Sequence, residues 1–91
     1  MSKQQFDSVW DALEPSPAVA EYMKLRSQLM IALEQHIKRQ GWSQTEAAEK
    51  LGVSQPRVSD LMRGKIDLFS LDTLVNLLVA AGMRVELHIA A

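Results

Sequence analysis

The sequence predicts a mainly α-helical domain that closes on a single C-terminal strand. Apolar residues recur every three or four positions along two long stretches, as one face of a helix requires. Serines stand where these stretches begin and glycines where they stop, which are the residue types that suit a helix start and a helix end. After Gly82 the period changes. Met83, Val85, Leu87 and Ile89 alternate with Arg84, Glu86 and His88, the pattern of a half-buried strand. The expected layout is one domain over residues 1–91: an N-terminal helical segment at 1–14, a helical core at 17–82 and a strand at 83–90.

In the first segment Phe6, Val9, Trp10 and Leu13 share one helical face, and "EPSP" (Glu14–Pro17) ends it. Those four residues suit either a cap on the core or a docking face for a protein partner, with acidic residues around them. Ser16 can cap the next helix with Pro17 at its first position, where a missing N–H costs nothing. This helix should run to about Gln40, with Val19, Tyr22, Leu25, Leu29, Leu33 and Ile37 as its apolar stripe. Lys38 and Arg39 suit the negative end of its dipole, and Gly41 is its stop.

Gln44–Leu51 reads as a short helix whose Ala47, Ala48 and Leu51 let a neighbour approach closely. Gly52 can take a positive φ for a tight reversal, Val53 plugs the turn, and Ser54 caps a further helix with Pro56 in its first turn. Val58 and Leu61 bury, which leaves Gln55, Arg57, Ser59, Asp60 and Arg63 outward or flanking. Ser70 caps the last helix, with Phe69 and Leu74 placed for a hydrophobic staple, and Leu71, Leu74, Leu77, Leu78 and Ala81 inward.

The bounds on function are simple. A chain of 91 residues, 47% hydrophobic, supports one thin core, which a second subunit often reinforces. No Cys is present, so disulfides and thiolate metal sites are excluded. His36 and His88 stand far apart with no evident partners, so no metal site and no cofactor is expected. No nucleophile, base and orienting group occur at motif spacing, so no enzyme is expected. No secretory signal and no membrane-length apolar run is visible, so a cytoplasmic protein is the expectation. The net charge of −1 hides an asymmetry: residues 36–65 are net basic while both ends are acidic. Met23, Met30 and Met62 read as gap-filling core, and Trp42 as core or as a base-stacking group.

A short capped helix with Gln and Arg in its first turn suits the major groove of DNA, where both side chains can pair bidentately with base edges. "QTEAAEKLGVSQPRVSDLMR", Gln44–Arg63, resembles the helix-turn-helix of Xre/Cro-type regulators, and the chain as a whole is similar to small antitoxins of the HigA type. The resemblance implies a lambda-repressor-like helical domain. It implies base readers at Arg57 and Gln55, phosphate or base contacts from Gln44, Thr45, Ser54 and Ser59, and backbone clamps at Arg63 and Lys65. Asp60 departs from the pattern. It would brace Arg57 or Arg63, or accept from a cytosine amine.

The resulting expectation is a homodimeric, sequence-specific repressor. It would bind a palindromic operator in double-stranded DNA as the antitoxin of a HigB/RelE-like toxin. A free-standing phage-type repressor and an interaction module that masks a basic partner are the alternatives. The strand, with Met83, Arg84, Val85, Leu87 and Ile89, would pair with its copy across the dimer, because a lone strand leaves its N–H and C=O groups unpaired.

Overall fold

Every α-helix among the described residues starts on a serine. The computed structural model describes residues 16–91, so the expected helical face of Phe6, Val9, Trp10 and Leu13 lies outside the described residues. The helices are α1 (Pro17–Gln40), α2 (Gln44–Leu51), α3 (Gln55–Met62) and α4 (Leu71–Ala80), with a 3-10 turn at Ile66–Leu68. The hydroxyls of Ser16, Ser43, Ser54 and Ser70 accept from the N–H groups of Val19, Glu46, Arg57 and Thr73 at 3.0–3.2 Å. Each thereby satisfies a donor that the first helical turn leaves without a partner. Ser43 and Glu46 form a reciprocal pair, because Glu46 Oε1 also accepts from the Ser43 N–H at 2.9 Å.

α1 packs chiefly on α4, and α2 on α3. Between them lies one core built from Met30, Leu33, Ile37, Ala47, Ala48, Leu51, Val58, Leu61, Phe69, Leu74, Leu77 and Leu78. Trp42, Val53 and Met62 are partly buried against it. Trp42 meets the His36 ring edge-on at 5.5 Å, which gives it the packing role of the two expected for it. His36 Nε2 lies 3.1 Å from the carbonyl oxygen of Ala81, so that nitrogen must carry the proton and donate.

Two expectations need correction. The buried stripe of α1 is rotated from the one predicted: Arg26, Met30, Leu33 and Ile37 are its buried residues, while Val19, Tyr22, Leu25 and Leu29 are half-buried. The stripe admits Arg26 because the guanidinium finds acceptors there, which an apolar count of the helix does not register.

The second correction concerns the predicted strand. Residues 83–91 carry no regular secondary structure, and no strand occurs among the described residues. Met83 turns inward, packs against the core and donates its N–H to Leu78 at 2.9 Å. Beyond it Val85, Leu87 and Ile89 are exposed, Leu87 to 73% and Ile89 to 83%. Arg84 is occupied by an exposed ion pair to Glu86 at 3.2 Å. The alternating pattern is real, but a ladder needs a second strand, and this chain offers none among the described residues.

Candidate nucleic-acid interface

The helix-turn-helix is α2, the turn Gly52–Ser54, and α3. Gly52 sits at φ 72, ψ 33, the left-handed region open to glycine, and donates to Ala48 at 2.9 Å. Val53 donates to the same carbonyl at 3.0 Å. The chain is thus folded back tightly enough for Ala47 and Ala48 to be buried beside α3, whose own Val58 and Leu61 complete the contact. Small side chains on α2 and a residue at the turn that takes a positive φ are the sequence features that allow this approach.

The predicted contact residues divide into two groups. Gln44 and Thr45, at the start of α2, and Ser54 and Gln55, at the start of α3, are exposed, as are Arg63 and Lys65. The two helix starts therefore present polar side chains together with the free N–H groups of a first turn, a combination suited to phosphate oxygens. Ser59 is half-buried. Arg57 is half-buried too, the flanking one of the two placements expected for it. Its guanidinium lies over the ring of Phe69, 4.1 Å from the centroid. Phe69 itself has no exposed surface.

Asp60 also departs from expectation. Its carboxylate pairs with Lys65 Nζ at 3.6 Å and not with Arg57 or Arg63. The cause is the turn after α3. Gly64 takes φ 71, and the backbone N–H of Lys65 then donates to the Asp60 carbonyl at 3.1 Å, which brings the lysine back over the helix. Arg57 meanwhile lies over the ring of Phe69.

Sequence reasoning missed Arg26. Its side chain is buried, with 7% exposure. It donates from Nε to the Phe69 carbonyl at 3.1 Å and from its terminal nitrogens to the Ile66 carbonyl at 2.6 Å and to Met23 Sδ at 3.3 Å. It also stacks on Tyr22 at 5.2 Å. The Tyr22 hydroxyl accepts from the Leu71 N–H at 3.4 Å. Helix α1 therefore holds the whole segment between α3 and α4 by polar contacts. The signal was present in the spacing: Tyr22, Arg26 and Met30 are i, i+4 neighbours, and a charge inside an apolar stripe must find a partner or not be buried.

No helix of the described residues is long and apolar enough to cross a membrane. Among curated proteins no significant match was found. A family model described as a helix-turn-helix domain matches residues 12–90. A solved structure of a protein assigned by its own description to the XRE family of transcriptional regulators is similar as well. It shares 39% sequence identity at a TM-score of 0.73, over 79% of this chain and 81% of that one. The capped α2, the tight turn at Gly52, the capped α3 and these two similarities agree, and the chain belongs to the Xre-type helix-turn-helix family.

Proposed function

We propose that the protein is a sequence-specific DNA-binding repressor that acts as a homodimer on a palindromic operator. The observation that carries this reading is the first turn of α3. Ser54 caps it, and Gln55 and Arg57 stand within it, on the part of a recognition helix that reaches base edges. Gln offers a donor and an acceptor to adenine, and Arg offers a two-pronged donor to guanine. Gln44, Thr45 and Ser59 would add phosphate or base contacts, and Arg63 and Lys65 would supply positive charge for the phosphate backbone. Electrophoretic mobility shift on randomised duplexes at two salt concentrations tests the reading. Binding should enrich one palindrome and weaken steeply as salt rises, through counterion release. Retention of a solvated polar face with no DNA binding at either salt would leave only the interaction-module reading.

The homodimer is supported by the exposed apolar row Val85, Leu87 and Ile89, which a second copy of the segment would cover. The finer role, antitoxin of a HigB/RelE-like toxin, rests on the resemblance of the whole chain to HigA-type antitoxins. Phe6, Val9, Trp10 and Leu13 are the toxin-facing candidates. Co-expression with the product of the neighbouring gene tests it: co-purification supports the antitoxin role, and its absence favours a free-standing repressor.

A further inference from the structure

Phe69 belongs to the core by burial, yet it touches the recognition helix through its ring face, and the contact is with the guanidinium of Arg57. Two further observations bear on this contact. Among the described residues no hydrogen-bond or ion-pair partner is found for the Arg57 side chain, so its N–H fork is uncommitted. The backbone of Phe69 is meanwhile fixed from the other side, because the buried Arg26 donates to its carbonyl at 3.1 Å and to that of Ile66 at 2.6 Å. A stacked guanidinium keeps its in-plane donors available while its rotamer freedom is already reduced. An aromatic plate, anchored to α1, thus underlies the arginine.

We propose that Phe69 is a positioning residue for base recognition: its ring, pinned by Arg26, holds the Arg57 guanidinium in the plane from which it pairs with a base. The proposal rests on the DNA-binding reading and deepens it. Phe69 touches no base and acts only through Arg57. Preorganised forks lose less entropy on pairing, so the stack should strengthen discrimination between bases and leave the sequence-independent phosphate contacts untouched.

The test uses the full chain with a randomised duplex library, followed by titrations on the recovered duplex and a scrambled one. The variants are Phe69→Leu, Arg57→Ala, Arg57→Lys and the Phe69→Leu/Arg57→Ala double variant, each checked for folding by circular dichroism. Arg57→Ala should lose preference at one base pair of each half-site by about tenfold. Phe69→Leu should lose most of the same preference at the same base pair, with its affinity for scrambled duplex and its salt slope kept. In the Arg57→Ala background, Phe69→Leu should cost no further preference. Arg57→Lys keeps the charge but cannot stack as a planar fork, and should behave as Arg57→Ala in preference and as wild type in salt slope. If Phe69→Leu does not fold, Phe69→Met, which fills the site without a flat ring, takes its place in both backgrounds with the same expected outcomes. Wild-type preference in Phe69→Leu or in Arg57→Lys, or a further loss in the double variant, would overturn the proposal and leave DNA binding standing. Failure of the wild-type protein to enrich any sequence would overturn both.

Discussion

The buried guanidinium of Arg26 and the carbonyl of Phe69 are joined by a 3.1 Å hydrogen bond across 43 positions of sequence. Arg26 is the one buried charge of the described residues, and this bond and its 2.6 Å bond to the Ile66 carbonyl both commit it to the segment that follows the recognition helix. Removing it leaves two carbonyls short of a donor and a cavity where the side chain lay. Arg26→Ala should therefore cost about 2–4 kcal/mol, the range for losing charged hydrogen bonds in a buried setting. Arg26→Lys should recover only part of this, because an ammonium cannot serve two divergent acceptors in a fixed plane. Urea unfolding measures both, and a cost below about 1 kcal/mol for Arg26→Ala would show that the contact is incidental.

The reciprocal Ser43–Glu46 cap governs the start of α2. Ser43→Ala should lower stability by about 1 kcal/mol, and Glu46→Ala by less, since it frees only the Ser43 N–H. In a domain of this size the first corresponds to a fall of about 4–8 °C in Tm. Thermal melts followed by circular dichroism would read it, and an unchanged melt in Ser43→Ala would remove the cap from the account.

Much of this architecture is legible in the sequence, because caps and stops are local. Ser16, Ser54 and Ser70 announce three helices, Gly41 ends the first of them and Gly52 ends α2, and the period fixes the inner faces of α2, α3 and α4 but not that of α1. What the sequence hides is non-local. Arg57 reads only as outward or flanking because nothing near it in sequence reveals that Phe69 returns beneath it. Asp60 reads as a brace for an arginine because the left-handed Gly64, which turns Lys65 back to it, acts through the backbone. The tail shows the converse failure. Alternation at Val85, Leu87 and Ile89 specifies which face is apolar, but a ladder depends on a partner that the pattern does not contain.

Lys65 should act on DNA as a charge and not as a reader. Its ion pair with Asp60 is half-exposed, which makes the pair weak and screened by salt. Lys65→Ala should weaken binding to operator and scrambled duplex alike and lower the salt slope by about one unit. Asp60→Asn should do the opposite, raising affinity for both. A loss confined to the operator in Lys65→Ala would instead make it a base contact.

Leu87 tests the dimer. In the isolated chain it is among the most exposed apolar residues described. Leu87→Lys should leave the fold and its melting behaviour nearly unchanged, since no described residue covers that side chain. The mass by light scattering should fall to that of a monomer, and operator affinity should fall with it. A variant of wild-type mass would show that the tail is not where two copies meet.

Each helix carries its own start and stop, and this affects how quickly the molecule assembles. α2 meets α3 across a turn, and the segment after α3 closes on itself through Lys65, Ile66 and Phe69 backbone contacts. Such locally wired helical chains fold in microseconds to milliseconds. The late step should be the docking of α4 and Phe69 onto α1, which joins distant parts of the chain. Stopped-flow refolding should show that Arg26→Ala chiefly speeds unfolding, with the helix-turn-helix pair formed earlier. The half of the protein that would contact DNA is then built first, and the buried arginine fastens it in place afterwards.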